Sequence, residues 1–226
     1  MDEQVRLAMA RWPDVPDVHG WLRLDRRGHW FLVERGRPGF DEARDGAGGE
    51  ITSEQIRDFI GRNYESDPQG RWYWQNGPQR VFVDLDLAPL IYRVVERDGA
   101  TALVTHTDYP VDDPRAFAVG DDGDLFVLTE HGPGVVHDLD LAQLDFEEAE
   151  APIAGDAPAA RDDAAGLAAA HEADTTPAHD ADADAPPSST LPADADAPAG
   201  SVLLGGRRHP VRHGLAGWPA FDRRPR

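Results

Sequence analysis

Two short stretches of the chain place carboxylates and an imidazole at alternate positions, the spacing at which side chains of a strand share one face. They are Asp84-Leu-Asp86 and His106-Thr-Asp108. Carboxylate oxygens and imidazole nitrogens bind divalent metals and also move protons in hydrolysis. Asp84, Asp86, His106 and Asp108 therefore form one candidate metal site. In the competing interpretation, alternating Asp and Leu mark only the solvent and core faces of an ordinary strand.

A second group of residues is suited to ligand binding. Trp72 and Trp74 alternate along one predicted strand, so they share a face that offers an aromatic platform for a peptide, a glycan or a base. Arg71 and Arg80 lie on either side of a predicted turn, where two guanidinium groups can clamp a carboxylate. Core packing of the two tryptophans and pairing of the two arginines with nearby Asp residues are the alternatives.

Motifs of known enzyme classes are absent from the 226 residues. There is no Gly-x-Ser-x-Gly elbow, no phosphate-binding P-loop and no Gly-x-Gly-x-x-Gly fingerprint, and we expect no cofactor. The complete lack of cysteine excludes disulfides, thiolate zinc sites and cysteine nucleophiles, and fits a reducing, cytoplasmic compartment. The sequence favours a non-enzymatic binding or regulatory module, and a metal-dependent hydrolase or nuclease is the alternative.

Strand patterns dominate the elements that must position these residues. Four pairs of strand-like runs flank short turns. They are 21–24 with 30–33, 71–75 with 81–85, 90–97 with 101–105, and 116–119 with 125–128. Asn76-Gly77 in the second pair is a strong hairpin signal, and it predicts a positive φ at Gly77.

Two helices are also predicted. Asp2 is the N-cap of the first, which Pro13 ends, and Thr52 or Ser53 is the N-cap of the second. The second helix has an apolar stripe at helical spacing, which must pack on the sheet. It consists of Ile56, Phe59, Ile60 and Tyr64. Residues 41–50 have no periodicity and are expected to form a surface loop.

These patterns predict an α+β protein. The strands are expected to form mostly antiparallel hairpins, arranged as a meander or a small barrel, with the two short helices on one face and a disordered C-terminal extension.

An internal repeat links two parts of the chain. Gly77-Pro78 is followed by Asp84-Leu-Asp-Leu-Ala-Pro-Leu90, and Gly132-Pro133 by Asp138-Leu-Asp-Leu-Ala-Gln-Leu144. The two copies are 54 or 55 residues apart, and each follows a strand hairpin. Two copies are too few for a solenoid, so the repeat indicates duplication of one hairpin unit.

Composition divides the chain into three parts. Residues 1–145 form the β-rich globular domain, residues 146–200 are an Ala/Asp/Pro-rich linker expected to be disordered, and residues 201–226 are a basic, flexible tail. Residues 1–150 contain 15 Arg and 31 acidic residues, whereas residues 201–226 contain six Arg and one acidic residue.

This charge distribution bears on the partners. The acidic body should repel nucleic acid and anionic membranes, and no apolar stretch is long enough for a membrane helix. We expect an unknown protein or peptide as the partner of the body. We also expect the tail, which contains Trp218, to fold back onto the acidic body by charge attraction, with RNA or another acidic partner as the alternative for the tail.

Several motifs in residues 5–145 resemble a family of uncharacterised proteobacterial proteins that is known only as a domain of unknown function. The motifs begin at Gly20, Ile60, Gly70 and Thr129, and read GWLRLDRRGHW, IGRNY, GRWYWQNGPQRVFV and TEHG. The resemblance implies no activity, because none is assigned to the family.

Overall fold

The computed structural model describes residues 1–148 and 198–226, which all belong to one compact unit. The remaining residues, 149–197, make up nearly all of the segment that the sequence assigns to a disordered linker. That prediction lies outside the described residues.

The described helices are short. They are α1 (Glu3–Arg11), α2 (Glu42–Asp45), α3 (Glu54–Arg62) and one 3-10 helix (Asp138–Gln143). The two predicted helices are confirmed as α1 and α3, with Asp2 and Ser53 as their N-cap residues. The prediction that Tyr64 belongs to the apolar stripe of the second helix is wrong, because α3 ends at Arg62 and Tyr64 begins the strand that follows. No helix in the described part of the chain has the length and apolar character needed to cross a membrane.

Six strands form the first sheet. They are β1 (Val18–Leu24), β2 (Trp30–Leu32), β3 (Gly49–Glu50), β4 (Tyr64–Ser66), β5 (Trp72–Asn76) and β6 (Gln79–Leu85), in the order β3-β2-β1-β6-β5-β4. The segment 41–50 is thus more than a surface loop, because it contains α2 and the edge strand β3.

Eight strands form the second sheet. They are β7 (Leu90–Arg97), β8 (Ala100–Thr105), β9 (Pro114–Val119), β10 (Leu125–Thr129), β11 (Gly132–Val136), β12 (Asp145–Glu148), β13 (Pro198–Leu204) and β14 (Arg207–His213). Their order is β12-β13-β14-β9-β10-β11-β7-β8. One cluster of buried side chains takes residues from both sheets, so the sheets share a core. The α+β class is confirmed.

The two sheets repeat one strand order. In each, an antiparallel hairpin (β1 with β2, or β7 with β8) lies beside a three-stranded meander (β4 to β6, or β9 to β11). The last strand of each meander runs parallel to the first strand of the hairpin. The repeat seen in the sequence is therefore larger than one hairpin and includes five strands.

The repeated Asp-Leu-Asp-Leu motif has the same role in both sheets. Its second aspartate forms an ion pair with an arginine of the first hairpin strand, Asp86 with Arg23 in β1 and Asp140 with Arg93 in β7. The Arg93 Nε lies 2.6 Å from Asp140 Oδ2, which also accepts a hydrogen bond from the Val94 backbone N–H. Each ion pair therefore connects the segment after the last strand of the meander to the first strand of the hairpin.

The prediction of a separate flexible tail is wrong. Strands β13 and β14 lie between β12 and β9, and β14 pairs in parallel with β9. Val202, Leu204 and Val211 are 0%, 5% and 1% exposed and belong to the shared core. The globular domain therefore does not end at residue 145. The arginines of the C-terminal segment dominate its net charge, but the alternating apolar residues of β13 and β14 determine its structure.

The tail lies on the body, but charge is not the main attraction. Trp218 packs with Leu215 and Phe221 in a second apolar cluster, beside Ile91 and Phe126 of the second sheet. Ion pairs elsewhere also join the C-terminal segment to the rest of the domain, such as those of Arg208 with Asp145 and Glu147. Their partial exposure makes each of them a small contribution compared with apolar burial.

The turn between β5 and β6 has a glycine, Gly77, at a position where the backbone φ is positive. Asn76 pairs with Gln79, and Gly77 and Pro78 make a two-residue loop in which Gly77 has a φ of +59°. The predicted positive φ is confirmed, although Asn76 belongs to the strand. Glycine followed by proline fits a type II′ turn.

Replacing Gly77 with valine is expected to reduce the free energy of unfolding by about 1 kcal/mol or more, because a β-branched residue disfavours positive φ. A Cβ at Gly77 would meet no atom within 4 Å, so the cost is conformational. Urea unfolding measures it. Gly49→Val is the control, because Gly49 is also open to solvent but lacks a positive φ. Equal effects of the two substitutions would contradict this explanation.

Candidate functional site

Asp84 and Asp86, two of the predicted metal ligands, lie among arginines. Asp84 is on β6, and its side chain points away from the shared core, which takes its neighbours Val83 and Leu85. Asp86 binds Arg23, and one of its oxygens lies 3.8 Å from Arg224 Nη2. Both carboxylates are therefore surrounded by cations of the protein itself, which removes the charge that would attract a metal.

Asp84 is the more buried of the two carboxylates, with 3% of the residue exposed. Guanidinium nitrogens of Arg35, Arg224 and Arg226 lie 3.7, 3.6 and 3.7 Å from its oxygens. These distances exceed those of hydrogen bonds, and Asp84 Oδ1 has no hydrogen-bond partner in the described residues. Burial raises the pKa of this carboxyl, and the three arginines partly offset that rise.

His106, the third predicted ligand, is in the core region between the sheets. Its Nδ1 accepts a hydrogen bond from the Ile91 backbone N–H (3.2 Å), and its ring packs near Trp30 and Tyr64, with ring centres 5.5 and 6.1 Å away. Burial lowers the pKa of the imidazole to about 3. The fourth residue, Asp108, is exposed in the turn after β8 and has a φ of +65°.

The four predicted metal ligands are thus not brought together. Asp84 is on the outer face of the first sheet, whereas His106 faces the interior. Within residues 1–148 and 198–226, no group of three or more His, Asp or Glu side chains is placed to hold a metal ion. The alternation of Asp and Leu instead reflects the outer and core faces of the strand.

Acid is expected to destabilise the domain through His106. Its folded-state pKa of about 3 lies below the ordinary value of 6.5, so between these pH values the unfolded chain binds a proton that the folded chain does not. The contribution of His106 to the free energy of unfolding has its full value above pH 6.5. As the pH drops from 6.5 toward 3, this contribution falls by at most about 1.4 kcal/mol per pH unit. Urea unfolding at pH 7 and pH 5 measures the change.

His106→Gln should make the difference between pH 7 and pH 5 smaller than in the unmodified protein. His213→Gln, at an exposed position of β14, is the control and should leave the difference unchanged. If both variants keep the full pH dependence, another group is responsible.

The two tryptophans of the predicted ligand site belong to the core face of β5. Trp72 is 6% exposed, and its ring centre lies 4.9 Å from that of Tyr64. Trp74 is half-buried against the same core and meets Phe59 edge-on at 5.8 Å. The predicted tryptophan platform is therefore not formed, because β5 turns both rings toward the interior.

The opposite face of the first sheet carries arginines stacked on aromatic rings. We call this group the arginine-aromatic patch and define it as His19, Arg71, Tyr73, Arg80 and Phe82. The Phe82 ring lies between the neighbouring strands β1 and β5, with His19 stacked at 4.6 Å and Arg71 over the ring at 4.6 Å. Arg80 lies over Tyr73 at 4.2 Å and is 6.0 Å from Phe82.

The two arginines of the patch differ in their partners. Arg71 binds Asp67, whose Oδ2 lies 2.7 Å from both its Nε and its Nη2. Arg80 has no carboxylate partner in the described part of the chain, and its buried Nε has no hydrogen-bond acceptor there. Arg80 is therefore a fixed guanidinium group whose charge is not neutralised by a neighbour.

The C-terminal segment borders this face. The sequence predicts that the tail folds back onto the body, but not that it reaches this face. The Asp222 N–H donates to the Gly70 carbonyl (3.0 Å), and the Leu85 N–H donates to the Arg223 carbonyl (2.9 Å). The His19 Nδ1 lies 3.2 Å from the Pro225 carbonyl oxygen. Alternation along β5 and β6 indicates which residues lie on the outer face of the first sheet. No local pattern indicates that residues 222–226 contact that face.

The search of curated proteins found no match. Two solved structures are similar, both of proteins from the DUF1285 family. That from Shewanella baltica OS155 is 13% identical with a TM-score of 0.39, and the match covers 54% of this chain and 88% of the other. That from Silicibacter pomeroyi DSS-3 is 13% identical with a TM-score of 0.40, covering 56% and 68%.

A family model gives the broader match. The model described as "Protein of unknown function (DUF2946)" matches residues 1–189, most of the chain, and confirms the resemblance to an uncharacterised family. The protein therefore belongs to the family described as "Protein of unknown function (DUF2946)".

Proposed function

We propose that this protein is a non-enzymatic binding module that holds a carboxylate of a peptide or protein partner at the arginine-aromatic patch. One observation carries the proposal. Arg80 is half-buried and stacked on Tyr73 at 4.2 Å, yet the described residues provide no carboxylate for it.

The stacked position prepares Arg80 for binding. A free arginine side chain loses conformational freedom when it binds, and a guanidinium group already held on aromatic rings loses less. A carboxylate that accepts from the two terminal nitrogens of Arg80 would bind in the bidentate geometry that arginine favours.

The surrounding charges limit the site to a small anionic group. Asp67 already neutralises Arg71, so Arg80 supplies the available positive charge of the patch. Residues 1–150 carry 31 acidic residues against 15 Arg and repel a large anion at long range. Physiological salt screens such repulsion beyond about 8 Å, so a single carboxylate at short range can still bind.

The remaining features support a protein partner in a cytoplasmic setting. The lack of cysteine suits a reducing compartment. Arginines of the basic C-terminal segment already contact carboxylates of the fold, as Arg208 does with Glu147 (2.7 Å) and Arg224 with Asp84 (3.6 Å). This pairing leaves them less suited to the phosphates of a nucleic acid.

The test is an NMR titration that follows arginine Nε–Hε signals. The probe is the blocked tripeptide acetyl-Gly-Glu-Gly-amide, with acetyl-Gly-Gln-Gly-amide as the neutral control. The Glu peptide should shift the Arg80 signal in a saturable manner. The signal of Arg57, an exposed arginine of α3, should not shift in this way. Arg80→Lys should weaken the binding, because lysine lacks the planar fork. An unchanged Arg80 signal, or equal shifts at Arg57, would overturn the proposal.

A further inference from the structure

A groove of about 540 Å³ lies where the end of β2, the 34–53 connection and the start of α3 meet. Its apolar lining consists of Leu32, Phe40, Ile51 and Ile56, and its acidic lining of Glu34, Asp45 and Glu50. None of the five residues of the arginine-aromatic patch lines this groove.

The floor of the groove exposes large aliphatic side chains. Ile56 is 47% exposed and Leu32 is 43% exposed, although the sequence predicts that the apolar stripe of α3 packs on the sheet. That packing is realised at Ile60, which is 0% exposed, but not one turn earlier at Ile56. The groove therefore presents apolar surface that a ligand can remove from water.

The rim of the groove is acidic. Glu34 and Asp45 share Arg37, whose nitrogens lie 3.8 and 3.2 Å from them, and Asp45 is also bound by Arg44 at 2.6 Å. Glu50 is exposed and has no ion-pair partner in the described part of the chain. Three carboxylates against these two arginines leave the rim with a net negative charge, located mainly at the unpaired Glu50, which attracts a basic ligand.

An unpaired strand edge borders the groove. β3 is the edge of the first sheet and pairs with β2 through Leu32 opposite Gly49 and Phe31 opposite Glu50. A Cβ at Gly49 would meet no atom within 4 Å, so another chain has room to approach the backbone there. Extended peptides bind such edges by adding a strand, with alternate side chains pointing to opposite sides.

We propose that this groove binds an extended segment of a partner protein in which basic and apolar residues alternate. The segment adds a strand beside β3, its apolar side chains cover Leu32 and Ile56, and its basic side chains reach Glu34 and Glu50. The acidic rim favours this occupant over an acidic or purely apolar one.

Fluorescence anisotropy with a labelled Arg-Leu-Arg-Leu-Arg-Leu peptide tests the apolar contact. Ile56→Asp should weaken binding about tenfold or more, although the substitution makes the protein more acidic. Leu139→Asp is the matched control, because it adds the same charge at a leucine that is 67% exposed and outside the groove. The exposure of both positions favours retention of the fold, which melting temperatures verify.

A second pair of variants tests the rim. Glu50→Gln should weaken binding more than Glu148→Gln, which removes the same charge at an exposed position of β12. Equal effects within either pair would show general attraction to an acidic protein and would overturn the proposal. Arg80→Lys should leave the affinity for this peptide unchanged, so failure of this site and failure of the proposed carboxylate site are distinguishable.

Discussion

Removal of residues 201–226 is expected to prevent the domain from folding at 25 °C. The deletion takes away three side chains of the shared core, Val202, Leu204 and Val211. Complete burial of three such side chains contributes about 5–9 kcal/mol, whereas a whole domain is stable by only about 5–15 kcal/mol. It also removes β14, which leaves β9 without its parallel partner. Circular dichroism during urea unfolding measures the loss.

A second deletion distinguishes loss of the core from loss of chain length. Replacing residues 151–196 with a short Gly-Ser linker removes more residues but keeps β13 and β14. Glu148 of β12 lies opposite Gly200 of β13, so a short linker can join these strands. Residues 151–196 contain no aromatic side chain, and this variant is expected to fold. A stably folded protein without residues 201–226 would contradict the role assigned to the C-terminal strands.

Trp72→Ala is expected to reduce the free energy of unfolding by about 3–5 kcal/mol, the usual cost of removing a buried aromatic ring. Trp72 is 6% exposed and packs against Tyr64, and its ring would lie 3.1 Å from a Cβ at Gly132 of β11. Its loss therefore opens a cavity between the two sheets, which rigid strands fill poorly. Urea unfolding followed by circular dichroism gives the value.

Trp21→Ala is the matched control, because Trp21 is 43% exposed on the outer face of β1. The control should cost much less stability than Trp72→Ala. If Trp72→Ala instead left stability unchanged and weakened binding of a ligand, the result would contradict the core role of Trp72 and would support the ligand site that the sequence predicts.

The proposed carboxylate site depends on a difference between two arginines that their sequence positions do not reveal. Arg71 and Arg80 flank the same turn, but only Arg71 lies four residues after an aspartate, Asp67, that a tight turn brings back to it. Arg80 remains without such a partner and rests on aromatic rings. The expected pairing with nearby Asp is therefore confirmed for Arg71 but is not found for Arg80 in the described part of the chain.

Local sequence patterns were enough to predict helices α1 and α3, the hairpins and one turn of this protein. The ends of α1, the apolar spacing in α3, the alternation in the four hairpins and the glycine at position 77 can all be read from a few consecutive residues. The repeated Asp-Leu-Asp-Leu motif also pointed correctly to a repeated unit.

Parallel pairing between distant strands was decided only in the tertiary structure. β1 with β6, β7 with β11 and β9 with β14 are joined across long stretches of chain, for which short turns leave no signal. The same limit explains the candidate metal site, because local spacing placed Asp84 and Asp86 on one face but said nothing of the distance to His106.

The sequence by itself therefore determined the α+β class, most local elements and the faces of single strands, since these follow from short-range periodicity. Only the tertiary structure decided that residues 198–213 complete the second sheet and that Trp72 is a core residue. It also decided that Arg80 is left without a carboxylate. Each of these outcomes depends on which distant segments pack together, and for residues 198–213 the burial of apolar surface outweighed the net charge of the segment.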